Sequence, residues 1–300
     1  MDYGMSASIP VFYTPKQVAA TSSMSPSASK PAAVVASWQE LGLPFSVVEP
    51  EPVTVDDFVL AHDRSFVEDV LACRRNNGFD NRSAQVASAL PWTTGSMHSA
   101  ARHVLAHGGV AAAPCSGFHH AGYDHPAGYC TFNGLMVTAL KLKGEGRIAR
   151  IGILDCDQHF GDGTEELIAR HRASVWIKHV TASQDYPRQA EKFLAALPAL
   201  VRKFKGCDIV LYQAGADPHV DDPLGGFLDN DQLAQRDAII FAEAHKMGMP
   251  LVWNLAGGYQ APLRLVLDIH DRTMIECVRA YLGEHALPKA AGERRVHPVA

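Results

Sequence analysis

Short apolar runs of strand length alternate along the chain with longer segments in which apolar residues recur at helical spacing. The short runs are PVFY, GVAAAPC, RIGILDCD, SVWIKHV, DIVLYQAGA and PLVWNLAGG. The helical patterns between them include PWTTGSMHSAARHVLAHGG, TFNGLMVTALKLKGEG, PRQAEKFLAALPALVRKFKGC and DNDQLAQRDAIIFAEAHKMGM. Because such alternation is typical of βαβ units, it predicts a three-layer α/β fold with a parallel sheet between two layers of helices.

The domain organisation follows from what interrupts this pattern. No internal repeat or break in composition divides the chain, so we expect one domain over residues 1–283, followed by a flexible tail over residues 284–300. A second irregular segment, residues 15–33, is rich in Ser, Ala and Pro and is expected to form a surface loop. Neither segment indicates chemistry by itself.

Composition and charge narrow the classes of protein that fit. With 300 residues, of which 47% are hydrophobic, the chain can bury a large core. The formal net charge is −5 and the 27 Lys and Arg are scattered, which argues against direct binding to nucleic acid or to an anionic membrane. We therefore expect an ordinary globular protein.

Membrane, export and disulfide signals are also missing from the sequence. No apolar stretch approaches the roughly 18 residues of a spanning helix, and the start, MDYGMSASIPVFYT, lacks the basic region of a secretory leader. The six widely spaced cysteines form no C-x-x-C pair and are expected to be reduced thiols. These features predict a cytoplasmic protein.

Polar residues are concentrated where four of the predicted strands end. The segments are GFHHAGYDHPAGYC, DCDQHFGDG, GADPHVDDPLGG and NLAGGYQ. In open α/β sheets, ligands bind outside the carboxyl ends of the strands, where the following loops converge. The four segments therefore predict one site rich in His, Asp and Tyr.

The segment DCDQHFGDG has the character of a metal site. If it is extended, Asp155, Asp157 and His159 lie on one face, and three ligand-type groups there are costly without a cation. Asp222 follows a later strand, and an Asp, His, Asp set suits a catalytic zinc ion with an open position. The competing interpretation is a strand end with solvated acids that cap the next helix. Spacing alone leaves open three further candidates, Asp217, His219 and Asp221.

Two adjacent histidines, His119 and His120, require a turn if both serve one site, because neighbouring side chains of a strand point to opposite faces. The surrounding Gly117, Gly122 and Pro126 permit such a turn. A His pair alone is more often incidental surface, but the nearby metal-type residues favour a functional pair.

The four segments, in this order, resemble those of the histone deacetylase and acetylpolyamine amidohydrolase superfamily. AHDRSFVEDVL, TTGSMHSAARHVL and LAQRD support the resemblance, which extends from about residue 11 to 280. It implies a single arginase-like domain with an eight-stranded parallel sheet between helices.

The resemblance also implies a set of site residues. A zinc ion, or Fe²⁺ in the cell, would be held by Asp157, His159 and Asp222. His119 and His120 would be the acid/base pair, and their imidazoles would be oriented by Asp155 and Asp162 respectively. Two carboxylate ligands cancel the charge of the metal and acidify its water less than three imidazoles would, so a general base becomes valuable.

Further residues would contact the substrate. Tyr259 would point at the substrate carbonyl and help to stabilise the oxyanion. Gly128, Tyr129 and Tyr186 would belong to the substrate-binding set, in which the two tyrosines would grip an aliphatic stem like that of acyl-lysine. Asp80 would hold the substrate backbone. For Asp80, a simple turn residue is an equally good interpretation.

Three positions depart from the family pattern. Phe160 stands where many members have a second His, and Ala256 stands where the family usually has Gly. The family's structural K⁺ site uses a Ser hydroxyl where this chain offers Ile177, so we expect that site to be altered or occupied by the ammonium of Lys178.

The sequence thus predicts a zinc-dependent amidohydrolase that removes an acyl group, acetyl by default, from an acylated lysine or a small acylated amine. One alternative is an acetylpolyamine amidohydrolase, whose mouth is often narrowed by oligomerisation. A second is a non-catalytic metal-binding member of the same fold. A third is a two-manganese ureohydrolase, in which Asp155 and Asp162 would ligate the second ion.

Overall fold

A parallel sheet forms the middle layer of the protein. The computed structural model describes residues 8–21, 23–183, 186 and 188–289, and this part contains strands β1 Ile9–Phe12, β2 Phe45–Val48, β3 Val110–Ala112, β4 Ile151–Asp155, β5 Ile177–Thr181, β6 Ile209–Gln213 and β7 Leu251–Asn254. Their order is β2-β1-β3-β7-β6-β4-β5, and every neighbouring pair is parallel. The predicted α/β sheet is confirmed, with seven strands in the described part rather than eight.

Nine α-helices in the described part of the chain cover this sheet. They are α1 Lys30–Glu40, α2 Val55–Val59, α3 Arg64–Leu71, α4 Ala84–His107, α5 Gly134–Gly144, α6 Asp162–Arg170, α7 Ala190–Arg202, α8 Asn230–Lys246 and α9 Arg264–Leu282. One apolar cluster joins α1, α7, α8 and α9 to one face of the sheet, and a second joins α2 to α6 to the other face. Within β6, Tyr212 belongs to the first cluster and Leu211 to the second, as the alternation of a strand buried on both faces requires.

The structure corrects the expectation for residues 15–33, which are not simply a surface loop. Gln17 and Ser25 are buried, and α1 begins inside this segment at Lys30, which is fully buried. Pro31 lies in the first turn of α1, where a proline needs no amide hydrogen. Composition was misleading here because small residues and proline also suit a helix start packed closely against other elements.

The four polar segments follow four strands that are adjacent in the sheet. Residues 113–133 follow β3, 255–263 follow β7, 214–229 follow β6 and 156–161 follow β4, and the strand order contains the run β3-β7-β6-β4. Because these strands are parallel, their carboxyl ends lie at one edge of the sheet. The sheet therefore brings the four segments together, as the sequence predicts.

The end of the described chain and the helix lengths bear on two further expectations. Helix α9 ends at Leu282, and a short 3-10 helix at Glu284–Ala286 follows it. The boundary at residue 283 stays a prediction, and residues 290–300 of the expected tail lie outside the described residues. Among the helices that the structure describes, none is both long and apolar enough to cross a membrane.

A buried histidine, His62, links the segment before α3 to two loops near the site. Its Nδ1 lies 2.8 Å from the Gly122 carbonyl oxygen, and its Nε2 accepts a hydrogen bond from the Asn133 amide at 2.8 Å. Both bonds suit the neutral imidazole, with its hydrogen on Nδ1. Burial lowers the pKa of His62 to about 4.

We expect this histidine to make stability depend on pH. Since the folded pKa lies below the unfolded value, the unfolded state binds the extra proton first, and stability falls as pH drops from about 6.5 towards 4. His62 alone should remove about 2 kcal/mol of unfolding free energy between pH 7.5 and 5. Urea unfolding at the two pH values measures this loss.

The matched comparison is His62→Gln beside His107→Gln, because His107 is exposed on α4. His62→Gln should be less stable than the wild type at pH 7.5 and should lose less stability on going to pH 5. His107→Gln should keep the wild-type difference. A His62→Gln protein with the full wild-type pH dependence would contradict this role.

Candidate active site

The segment after β4 turns instead of remaining extended. Asp155 is the last residue of β4. Beyond it, the Asp157 amide donates to Asp155 Oδ1 at 3.1 Å, and the His159 amide donates to Asp157 Oδ1 at 3.0 Å. The expectation that all three side chains share one face of a strand is therefore wrong, because Asp side chains capture nearby amides and bend the backbone. The turns still bring Asp157 and His159 together and leave Asp155 free to face His119.

The two adjacent histidines lie on a turn, and each contacts one carboxylate. His119 Nδ1 is 2.6 Å from Asp155 Oδ2, and His120 Nδ1 is 2.6 Å from Asp162 Oδ1. The two ring centroids are 4.1 Å apart. A carboxylate on Nδ1 fixes the ring orientation and leaves Nε2 for chemistry. The structure thus pairs the four residues as the resemblance implies, while their catalytic roles stay predictions.

The backbone at Gly128 allows His120 to occupy its position. Gly128 has φ +52°, and a Cβ there would lie 2.3 Å from His120 Cδ2. A side chain at residue 128 would therefore displace the imidazole. This close approach accounts for the glycine that the sequence placed in the substrate-binding set.

The two imidazoles differ in proton affinity. Burial alone would lower the pKa of His119, but the charges of Asp155 and Asp157 raise it to about 9. The pKa of His120 is lowered by burial and by the neighbouring His119, against the opposing effect of Asp162. Groups whose environments separate their pKa values are suited to different halves of acid/base chemistry.

Two buried carboxylates and one imidazole converge beside this pair. The ligand-type atoms of Asp157, His159 and Asp217 lie within 4.8 Å of one another. His159 Nδ1 is 3.2 Å from Asp157 Oδ1 and 3.1 Å from Asp217 Oδ2. Among the described residues, this is the one group of three or more such side chains that meet in this way.

The electrostatics of this group fit a cation. Burial and the charge of Asp157 raise the pKa of Asp217 to about 8, and hydrogen bonds to Asp157 and Asp217 raise that of His159 to about 10. Two carboxylates buried together repel each other unless a proton or a cation lies between them. Oxygen and imidazole ligands together suit a zinc or iron ion.

Asp222, the third ligand that the resemblance implies, lies beside this group. Its Oδ1 accepts a hydrogen bond from the Leu224 amide at 3.0 Å, and its Oδ2 accepts one from the Tyr259 amide at 2.8 Å. Burial raises the pKa of Asp222, and among nearby charges Lys30 lowers it and Asp157 raises it. The metal ligand set stays a prediction, and besides Asp157 the carboxylate that contacts the His159 ring is that of Asp217.

The other two candidates near Asp222 are occupied elsewhere. His219 Nδ1 accepts a hydrogen bond from the Asp221 amide and lies 2.9 Å from Gln260 Nε2. The Asp221 side chain is exposed. His219 therefore supports the turn that carries Asp222, and Asp221 faces solvent.

The Tyr259 loop is bound directly to the acidic group. The Gly257 amide donates to Asp157 Oδ2 at 2.9 Å, and a Cβ at Gly257 would lie 2.5 Å from Asp217 Cγ. Burial, followed by the charges of Asp157 and Asp217, raises the pKa of Tyr259. The phenol therefore keeps its proton and can donate a hydrogen bond.

The sequence analysis missed Lys30, a buried cation beneath this loop. Lys30 Nζ donates to the carbonyl oxygens of Ala256 at 2.8 Å and Gly257 at 3.1 Å. Burial lowers its pKa to about 8, against the opposing charges of Asp217, Asp157 and Asp222. No local pattern marks it, because its partners lie more than 220 residues away in the sequence.

The predicted substrate wall is partly assembled. The Tyr129 ring centroid is 5.5 Å from that of Tyr259 and 6.2 Å from that of Phe79. Asp80, next to Phe79, is exposed on a turn. The Tyr186 ring packs against Phe193 at 5.9 Å, so a Tyr129 and Tyr186 pair that grips a substrate stem stays a prediction.

A small, partly enclosed cavity of about 50 Å³ adjoins Tyr129. Its walls are mainly apolar and include Phe79, Leu90, Phe118 and Phe132. Phe118 directly precedes His119, but neither His119 nor His120 lines the cavity. The cavity is therefore an apolar space next to Tyr129 and is separate from the histidine side chains.

Two expectations about additional ions can be compared with the side-chain positions. Lys178 Nζ donates to the Lys203 carbonyl oxygen at 2.6 Å, and Lys178 is exposed, so its ammonium does not fill a buried cation site. Its neighbour Ile177 is buried instead. Asp155 and Asp162 are each bound to a histidine, so the structure gives no support to a second metal ion between them.

Comparison with known proteins places this fold and site in one family. Residues 25–192 match the family model of the histone deacetylase domain. Since the match covers more than half of the chain, the protein belongs to the histone deacetylase domain family, and the predicted superfamily is confirmed. Members of this family are hydrolytic, metal-dependent deacetylases.

Individual relatives are distant but cover much of the chain. A probable deacetylase of Methanothermobacter thermautotrophicus is 24% identical in an alignment 279 positions long that covers 81% of each chain. Acetylpolyamine amidohydrolase 2 of Pseudomonas aeruginosa is 29% identical over 175 residues, covering 47% of this chain and 48% of that one. The crystal structure of acetylpolyamine aminohydrolase from Burkholderia pseudomallei matches with a TM-score of 0.71 at 18% identity, over 91% of this chain and 99% of that one. This last likeness supports the fold.

Ala256 allows a test of strain in the Tyr259 loop. Its φ of +45° lies in the left-handed region, which costs a residue with a Cβ about 1–2 kcal/mol. Ala256→Gly removes this cost, whereas Ala113→Gly alters an equally buried alanine whose φ is not positive. We expect Ala256→Gly to lower the free energy of unfolding by about 1–2 kcal/mol less than Ala113→Gly does, as measured by denaturant unfolding. Equal losses of stability in the two variants would contradict backbone strain at Ala256.

Proposed function

We propose that this protein is a zinc-dependent amidohydrolase that removes an acyl group, acetyl by default, from an acylated lysine or a small acylated amine. The observation that carries the proposal is the joint placement of two carboxylate-bound histidines, a convergent acid and histidine cluster, and the Tyr259 loop bound to that cluster. The family membership supports it. Names of relatives point to acetylated amines as the substrate class.

The metal would be held by Asp157, His159 and Asp222, with Asp217 next to these ligands and in contact with His159 Nδ1. When bound, zinc supplies a Lewis acid that polarises the acyl carbonyl and acidifies water. Gly257 would keep Asp157 in place through its amide. Fe²⁺ has the same donor preferences and is an alternative occupant.

The histidines would move the proton. His120, the more exposed of the two, would take a proton from water as the water oxygen attacks the acyl carbon. As the carbon–nitrogen bond breaks, His119 would deliver a proton to the departing nitrogen. The products are then a carboxylate and a free amine, and proton exchange with solvent resets the pair.

Tyr259→Phe tests the oxyanion donor. The contact of this loop with Asp222 uses the backbone amide of Tyr259 and survives the substitution. We expect kcat for an acetyl-lysine peptide to fall by about 10²–10³, because the variant lacks the hydroxyl that stabilises the developing charge. The zinc content per chain should stay at the wild-type value.

Tyr129→Phe is the matched control for that variant. It also removes one phenol hydroxyl from the same ring contact, but its proposed role depends on the ring. It should keep kcat within about threefold of the wild type. Equal losses in the two variants, or a wild type that binds zinc and cleaves no acyl-amine, would overturn the assignment of Tyr259.

The third metal ligand can be identified by comparing Asp222→Asn with Asp217→Asn. If Asp222 is the ligand, its loss should weaken zinc binding by at least about tenfold more than the loss of Asp217, whose oxygens serve Gln158 and His159. Competition with a chromophoric chelator measures both affinities. A larger loss in Asp217→Asn would make Asp217 the ligand.

Acetylpolyamine hydrolysis is the second candidate, favoured by the names of the relatives. The chemistry would be the same, with a flexible cationic amine in place of a lysine side chain. The kcat/KM ratio between N-acetylspermidine and an acetyl-lysine peptide separates the two candidates. A ratio well above one favours the polyamine.

A further inference from the structure

Arg236, on α8, is a buried cation that the proposed chemistry does not use. The residue has no exposed surface. Its Nε and Nη2 donate to the carboxylate of Asp237 at 2.8 and 3.3 Å. That carboxylate also accepts hydrogen bonds from the Tyr212 hydroxyl and, at 2.6 Å, from the Thr273 hydroxyl. The guanidinium is therefore neutralised by its neighbour and held in one orientation.

The remaining nitrogen of Arg236 bridges two loops of the candidate site. Nη1 donates to the carbonyl oxygen of Cys156 at 3.2 Å and to that of Gly215 at 2.7 Å. Cys156 directly precedes Asp157, and Gly215 lies two residues before Asp217. One side chain thus contacts the backbone of both segments that carry the convergent acids.

The position of these carbonyl groups explains why a bridge is needed. The last register pair of β4 and β6 is Asp155 with Gln213, followed by one more bond from the Cys156 amide to the Gln213 carbonyl oxygen. Beyond it, the segments leave the sheet, and ladder bonds no longer hold them together. Asp157 and Asp217 are buried on these two segments, and their carboxylates repel each other whenever neither a proton nor a cation lies between them.

A contribution to folding stability does not by itself explain why an arginine is buried at this position. A buried ion pair is often no more stabilising than apolar side chains of similar volume, because its desolvation offsets the attraction. Arg236 has a rigid, planar group whose donors reach two carbonyls and a carboxylate at once. This geometry suits a positioning role.

We propose that Arg236 is a positioning residue that holds the β4 and β6 segments in register and thereby sets the metal affinity of the candidate site. The inference rests on the metal site of the proposed function. Arg236 acts through the backbones of Cys156 and Gly215 and does not touch the metal or the substrate.

The test compares Arg236→Met and Arg236→Lys with Thr273→Val. Thr273→Val removes one hydrogen bond from Asp237 in the same buried network and leaves both contacts of Nη1 in place. For each variant, zinc affinity is measured by chelator competition, the visible absorption of the Co²⁺-loaded protein reports the geometry of the site, and urea unfolding of the metal-free protein reports stability.

We expect Arg236→Met to lower zinc affinity by about 10–100-fold and to change the Co²⁺ spectrum. Arg236→Lys should recover part of the affinity, since an ammonium can still donate to a carbonyl. Thr273→Val should lower the stability of the metal-free protein and leave zinc affinity within about twofold of the wild type. If Arg236→Met does not fold, the Arg236→Lys and Thr273→Val pair decides the question.

Different failures have different meanings. Arg236 variants that lose stability but bind zinc as tightly as Thr273→Val would overturn the positioning role and leave the proposed function intact. A wild-type protein that binds no zinc or iron would overturn the proposed function, and the inference with it.

Discussion

Carboxylates are buried together at the carboxyl ends of β4 and β6, and the rest of the structure must compensate for the repulsion between them. Asp155, Asp157 and Asp217 are at most 2% exposed, and water cannot screen their charges there. Leaving such groups unpaired in the interior costs far more than a single side chain normally contributes to stability. Several of the surrounding elements therefore bring a compensating group to this edge of the sheet.

The compensating groups are of two kinds. His119 and His159 bind the carboxylates directly, and they can release their protons. Lys30 and Arg236 act differently, because within the described part of the chain neither forms an ion pair with Asp157 or Asp217, and each donates instead to loop carbonyl oxygens. This division has a chemical consequence, because a direct ion pair would occupy the oxygens that a metal ion needs. Lys30 and Arg236 therefore stabilise the buried carboxylates while the carboxylate oxygens remain available to a metal ion.

The sequence predicts those features of the site that have a local cause, and it does not predict those that arise from contacts formed on folding. The convergence of four polar segments follows from strands with a hydrophobic pattern and polar ends, both of which are visible in the sequence. The pairing of His119 with Asp155 was expected from the resemblance. The turn at Asp157 was not, because it arises when side chains compete with the strand for amide hydrogens. The burial of Lys30 could not be predicted for another reason. A lysine in a segment rich in Ser, Ala and Pro is expected to be exposed, and its burial depends on contact with the distant Ala256 loop.

Backbone strain separates the parts of the site that are fixed from those that can vary. Three of the six non-glycine residues with positive φ in the described chain are Asp80, Tyr129 and Ala256, all in the candidate site or its rim. Strained residues persist only where the surroundings hold them in place. The loop that contains Asp80 is anchored by a hydrogen bond from the Gly78 amide to Thr131 Oγ1, and Ala256 is anchored by Lys30, which donates to its carbonyl oxygen. His119, His120 and Tyr129 share the segment after β3, whereas Asp80 lies on the loop between α3 and α4, which can change length without disturbing the sheet. Variation in such loops is compatible with a fold that this chain shares, at 18% identity, with a protein named for another substrate class.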